Sequence, residues 1–273
     1  MAAGLIISSV AIGAISYFQG NSAGEMVGSA TWLKWMQLIQ SLGLFIFPVF
    51  LMAFLSTSKP LEFLKLSTAP NLKQTCLTVL SMIVAMPFMD FIIQWNQAIH
   101  FPDFLQPVEQ WMRIKEEQAN LLTEKMLEAS SWKGWLFNFF IVAISAAFSE
   151  ELFFRGTLQQ YFSMRCRVGV AIILSAFIFS AIHFQFFGFI PRFLLGAYFG
   201  YLLYWSQSLW LPILAHFTNN AIALLQIFLF GSEDTPLLPA SVPPYVSYLA
   251  GVASLILFIF IARAIHRLSA DKR

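Results

Sequence analysis

The sequence predicts an all-α, polytopic integral membrane protein: about eight transmembrane helices in one bundle, with an amphipathic surface helix. Three observations predict it. Apolar residues make up 58% of the 273 residues and charged residues only 11%, against roughly 25% charged in an average soluble domain. Mean hydropathy is +0.71, more apolar surface than so few polar side chains can cover in water. Apolar stretches of spanning length recur along the chain. The candidate spans are 2–18, 34–55, 74–95, 134–162, 168–190, 191–205, 209–230 and 245–264.

The elements follow in order. No Lys or Arg precedes Lys34, and a secretory signal needs a basic leading region, so 2–18 reads as a retained span. Span 191–205 is short, and Pro191 suits the first turn of its helix. Trp32, Trp35, Trp95, Trp132, Trp135, Trp205 and Trp210 fall near span ends, as expected of an interfacial aromatic belt. Segment 103–130 differs in kind. Pro107 opens it, and Val108, Trp111, Met112, Lys115, Ala119, Leu122 and Met126 recur near helical spacing opposite a glutamate-rich face. It reads as an amphipathic extramembrane helix. The chain is read as one integral-membrane domain, 1–273, with core helices over 134–230.

Orientation comes from the basic residues. Lys59, Lys65 and Lys73 mark the 56–73 loop, Arg165 and Arg167 the 163–167 turn, and Arg263, Arg267, Lys272 and Arg273 the tail. The positive-inside rule puts these on the cytoplasmic side, in a cell membrane, with both termini cytoplasmic. Arg192 alone among the loops falls on the outer side. A net charge of +2 gives no nucleic-acid signal. Cys76 and Cys166 show no CxxC spacing and read as apolar fillers on the reducing side. Asp90, with Trp95 just beyond it, reads as interfacial.

Chemistry concentrates in the apolar second half. Glu150 and Glu151 are adjacent inside a predicted span, and charge at that depth is kept only for a partner or a wet cavity. Side chains one residue apart on a helix point about 100° apart, so the two acids take separate tasks. Glu151 and Arg155 are four apart, in the favourable acid-before-base order. Glu150 is left without a local partner, which suits general-base work. His183 sits at a depth matching Glu150 across the 163–167 turn. His216 and Asn220 share one helix face and can donate to a developing oxyanion. Asn219 and Thr218 read as interhelical hydrogen-bonding residues. The set suits attack of water on an amide carbonyl. Glu150, His183 and His216 are also an alternative set of zinc ligands, although no His-Glu-x-x-His occurs. No Gly-x-Ser-x-Gly occurs within 134–230.

At these residues the chain resembles the type II CAAX prenyl endopeptidase and bacteriocin-processing family of glutamic intramembrane proteases. The matches are Glu150-Glu151-Leu152-Phe153-Phe154-Arg155, Phe179-Ser180-Ala181-Ile182-His183, and His216-Phe217-Thr218-Asn219-Asn220. The resemblance implies an eight-helix endopeptidase whose site opens toward the cytosol. In it Glu150 and His183 activate water, His216 and Asn220 stabilise the oxyanion, and Glu151 and Arg155 hold the geometry. No cofactor is required. The departure is Phe187, where prenyl endopeptidases typically carry Asn. It bears on prenylated-substrate specificity more than on catalysis. The expected partners are a peptide or protein substrate, membrane-anchored ones included, and the lipid bilayer. The rival reading is a non-catalytic immunity or scaffold protein. No inverted repeat points to a transporter.

Overall fold

The computed structural model describes residues 29–231 and 243–270, and every regular element among them is helical. The predicted span 2–18 and the acidic residues Glu25, Glu233 and Asp234 lie outside the described residues. The long helices are α1 (Ala30–Ser56), α2 (Leu72–Gln97), α3 (Gln106–Leu127), α4 (Trp132–Ser163), α5 (Val168–Ala181), α6 (Phe189–Ser206), α7 (Trp210–Phe230) and α8 (Pro244–Ala270).

Local chemistry sets the boundaries. Asn71 and Gln74 form a reciprocal capping box that starts α2, meeting two orphan donors of its first turn. Pro107 opens α3 as expected. Gly231, at φ 81°, ends α7 in the left-handed conformation that glycine adopts without strain. Inside α2, Pro87 breaks the backbone ladder. The Ser254 hydroxyl of α8 sits beside the break, accepting from Phe88 N–H at 3.2 Å and donating to the Val84 carbonyl. In lipid such freed backbone groups need a neighbour's side chain, and this one fastens α8 to α2.

Among the described residues five helices, α1, α2, α4, α7 and α8, are long and apolar enough to cross a membrane. The candidate spans 168–190 and 191–205 are not among them. The predicted span 168–190 ends as a helix at Ala181; Phe184 takes a positive φ of 54°, and the chain reverses through 182–188 without helix. With 14 residues, α5 reaches about 21 Å, short of a hydrocarbon core of roughly 30 Å. Helix α6 has 18 residues but carries Arg192, and it falls below the apolarity of the five.

Hydrogen bonds define two ends. At one, the 57–71 connection meets the α6–α7 turn and the last part of α4: Leu209 N–H donates to the Lys65 carbonyl at 2.9 Å and Gln160 Nε2 to the Phe63 carbonyl at 3.2 Å. Gln74 at the start of α2 bonds Ser269 near the end of α8 at 2.9 Å. At the other end, α3 lies across the start of α4: Asn138 Nδ2 donates to the Leu127 carbonyl at 2.7 Å, and the buried Lys34 of α1 to the Glu128 carbonyl at 2.8 Å. Apolar packing fills the space between. Met82, Phe199, Leu202, Leu211 and Ile265 join α2, α6, α7 and α8. Val49, Leu64, Leu152 and Leu209 join α1 to α4 and the α6–α7 turn.

Candidate active site

The Glu150-Glu151 segment is held between two π-helical stretches of α4, Phe139–Ser145 and Phe154–Gln159. Such widened turns re-aim the residues around them and concentrate at functional sites. The sequence periodicity gave no sign of them.

The two glutamates separate as their spacing requires. Glu151 is fully buried; its Oε1 accepts from Arg155 Nη1 at 2.8 Å and from His216 Nδ1–H at 2.8 Å. Arg155, also fully buried, donates from Nη2 to the Gly196 carbonyl at 2.9 Å. Its guanidinium lies 4.5 Å from the Phe179 ring centroid and 5.4 Å from that of Phe199. Ion pair, carbonyl and ring faces together compensate a charge that burial alone would make prohibitive. Glu150 points elsewhere, into a cavity of about 470 Å³, with its Oε2 at 3.9 Å from His216 Nε2.

His183 lies one residue past the cap of α5, at the start of the reversal, not within a helix as its motif alone suggests. Its Nδ1–H donates to the Phe179 carbonyl at 2.8 Å. That fixes the tautomer with Nε2 as the accepting nitrogen. The Phe179 ring packs edge-on against both imidazoles, at 5.2 Å from His183 and 5.8 Å from His216, while Phe199 stacks on His216 at 5.3 Å.

Glu150, His183, His216, Asn219 and Asn220 all line the one cavity. Asn220 has one amide hydrogen committed to the Val142 carbonyl at 3.0 Å, so it also ties α7 to α4. Its second amide hydrogen is left for another acceptor. Thr218, expected to bridge helices, instead bonds back to Leu214 O at 2.7 Å within α7. Asp90 lines the same cavity and accepts from Gln94 at 2.9 Å. The three residues of the alternative zinc set do not form a ligand cluster: among the described residues no group of three or more His, Cys, Asp or Glu is placed to hold a metal ion.

Phe187 lies in the irregular stretch 182–188. It is buried, with the Arg113 guanidinium 4.3 Å from its ring centroid. Its N–H donates to Glu116 Oε2 at 3.1 Å, and its carbonyl accepts from Asn96. The reversal that carries His183 is thus pinned by α2 and α3.

Several residues escaped the sequence reading. Gly196 and Gly200 let α6 close onto α4 and α5. A Cβ at Gly196 would stand 3.0 Å from Arg155 Nη2, and one at Gly200 would stand 2.6 Å from Gln159 Oε1. The small-xxx-small spacing Gly196-Ala-Tyr-Phe-Gly200 was the available signal. Glu109, read from the sequence only as part of the glutamate-rich face of 103–130, is an anchor. It gathers Phe101 N–H at 2.7 Å, His100 at 3.1 Å and Arg113 at 2.8 Å, fastening the start of α3.

The cavity runs from Glu150 toward α3, whose Glu116, Asn120, Thr123 and Met126 line it with Gln97 of α2. It therefore reaches the end of the structure opposite the Lys59, Lys65, Arg165 and Arg167 connections.

No curated protein and no solved structure matches the chain. Residues 132–222, one third of its length and the stretch that holds Glu150, Arg155, His183 and Asn220, match the family described as type II CAAX prenyl endopeptidase Rce1-like.

Proposed function

We propose that this integral membrane protein is an intramembrane endopeptidase of the glutamic type that hydrolyses a peptide bond with a water held between Glu150 and His183. The observation that carries the reading is the convergence of Glu150, His183, His216 and Asn220 on one cavity, over a buried Glu151–Arg155 pair. The match of 132–222 to a family of prenyl endopeptidases supports the reaction class.

The chemistry follows from the hydrogen bonds. His183 gives its Nδ1–H to a carbonyl, so Nε2 can accept from the water. Glu150 takes a proton as the water oxygen bonds the carbonyl carbon. Negative charge then gathers on the former carbonyl oxygen. The second amide hydrogen of Asn220 and, once its Nε2 carries a proton, His216 are the donors the proposal assigns to it. Glu151, accepting from Nδ1–H, orients that imidazole. As the C–N bond breaks, Glu150 returns its proton to the leaving nitrogen. Each atom is accounted for without a covalent enzyme intermediate.

The cell membrane, with the basic end and both termini on its cytoplasmic side, completes the proposal, supported by the Lys59, Lys65, Arg165 and Arg167 connections. The test uses the purified full chain and a mixture of quenched fluorogenic peptides. Glu150→Gln should lower turnover by about 10²–10⁴-fold, the usual worth of a positioned acid–base group, with unfolding temperature unchanged. Equal turnover in that variant overturns the assignment.

A further inference from the structure

We propose that the cavity beside Glu150 takes an extended, unlipidated peptide, gripped by its backbone and not through an isoprenoid chain. The proposal rests on the endopeptidase reading and names its substrate class.

The cavity wall carries the argument. Besides Asn220, six carboxamide side chains line it: Gln37 of α1, Gln97 of α2, Asn120 of α3, Gln185 of the 182–188 reversal, and Asn219 and Gln226 of α7. A carboxamide brings two N–H donors and two carbonyl lone pairs, the complement of a peptide group. Gln185 Nε2 donates to Asn120 Oδ1 at 3.2 Å, Arg192 to Gln185 Oε1 at 2.6 Å and Asn219 Nδ2 to Asn220 Oδ1 at 3.3 Å. These bonds use only a few of the positions that the carboxamides offer. Polar side chains among spanning helices are costly and are kept for function. This wall suits an occupant with hydrogen-bonding groups along its whole length.

Spacing gives that occupant a shape. His216, Asn219, Asn220, Ala223 and Gln226 all line the cavity, at intervals of three and four residues that make one stripe of α7. From His216 to Gln226 the stripe runs about 15 Å. An extended chain advances about 3.3 Å per residue, so about four or five residues lie along the stripe with one peptide bond at its His216 end. Backbone N–H and C=O groups recur at every residue of such a chain, and the carboxamides can meet them whatever the side chains are.

A second wall is of another kind. Met82, Met86 and Met89, with Ala85 and Ile93, make one stripe of α2 along the same cavity. Methionine is unbranched and polarizable and fits side chains of many shapes, and methionine-rich surfaces bind with little sequence preference. Helices α1, α2 and α3, and Gln226 of α7, lie outside the matched residues 132–222, so most of both walls is this chain's own. An isoprenoid has no hydrogen-bonding group. Laid along the cavity it would strip water from the carboxamides and return nothing, and a site whose polar groups are left unpaired rejects its ligand. The apolar stripe is not continuous either: Asp90 lines the cavity between Met89 and Ile93. Phe187, also on the wall, carries the Arg113 guanidinium 4.3 Å from its ring centroid.

The experiment uses the purified full chain and a quenched fluorogenic peptide mixture whose members each carry one cysteine, half of it S-farnesylated. The unmodified half should show a kcat/KM higher by about tenfold or more. Equal or faster cleavage of the farnesylated half overturns the proposal and leaves the endopeptidase reading standing. In the fastest unmodified peptide, N-methylation of single backbone amides flanking the cleaved bond should lower kcat/KM by about tenfold. Alanine at the same positions should change it by less than about threefold. The reverse ranking overturns the backbone grip. Gln226→Leu and Gln37→Leu should each raise KM by about fivefold with kcat and unfolding temperature unchanged, the mark of a group that binds without entering the chemistry. An unchanged KM in both variants also overturns it. Absence of cleavage of either half sinks the endopeptidase reading. Fluorescence polarisation with the Glu150→Gln protein then still decides the occupant: tighter binding of the unmodified mixture supports the proposal, and tighter binding of the farnesylated one overturns it.

Discussion

His216 and Glu151, 65 residues apart in the chain, share a buried hydrogen bond of 2.8 Å from Nδ1–H to Oε1. The same oxygen receives Arg155 Nη1 at 2.8 Å. Glu151 is thus the hub through which α4 fixes the imidazole that α7 contributes. A double-mutant cycle of Glu151→Gln and His216→Asn should report a coupling of about 0.5–3 kcal/mol, as expected of residues in one network. Additive losses in unfolding free energy would separate the two residues.

Arg155 should be worth more to the fold than any other cation. Arg155→Ala leaves the Glu151 carboxylate buried without its ion-pair partner, a change that costs about 3–5 kcal/mol in comparable sites. Arg155→Lys should recover only part of that loss, because an ammonium cannot hold Glu151 and the Gly196 carbonyl in a planar fork. Thermal unfolding of the purified variants measures both.

Gly196→Ala should destabilise by about 1–3 kcal/mol through overpacking, since its Cβ would meet Arg155 Nη2 at 3.0 Å and Phe179 at 3.1 Å. Peptide turnover should fall with it, because Phe179 backs both imidazoles. Gly169→Ala is the control, with nothing within 4 Å of its Cβ. Equal effects at the two glycines would refute the packing argument.

The anchor of α3 should be acid-labile. The Phe101 N–H and the Arg113 guanidinium hold the Glu109 carboxyl down at about 2, from an ordinary 4.5. A group whose pKa is depressed in the folded state stabilises above its unfolded value and loses that contribution as pH falls through the folded one. The start of α3 should therefore stay docked above about pH 4.5 and loosen progressively toward pH 2. Glu109→Gln should loosen it at neutral pH. Hydrogen exchange across residues 98–113 follows both, and unchanged protection in the variant would remove Glu109 from that role.

Chelator treatment should leave peptide turnover intact, as a mechanism run by Glu150 and His183 alone requires. Loss of activity restored by zinc would move Glu150, His183 and His216 from acid–base roles to ligands.

The legible part of this structure was whatever obeys a local period or a fixed spacing. Apolar runs gave five helices of spanning length, and the i, i+4 spacing gave the Glu151–Arg155 pair. Resemblance at three motifs pointed to the stretch that matches the Rce1-like family. Features set by tertiary closure were not legible. The break at Ala181 carries no Pro, and its neighbours Ile182, Phe184, Phe186 and Phe187 read as more span. What ends the helix is a positive φ at Phe184 and a backbone claimed by Asn96 and Glu116 from distant helices. The π-helical turns of α4 leave no mark on hydropathy. The role of α3 was open as well, because an amphipathic face does not say what it will cover.

The most direct test of the central claim is a high-resolution structure of the full chain in lipid, with data collected at the zinc absorption edge. The account predicts one water within about 3.2 Å of both the Glu150 carboxylate and His183 Nε2, and no anomalous signal between them. A metal ion at that point, or side chains too far apart to reach a common water, would contradict it.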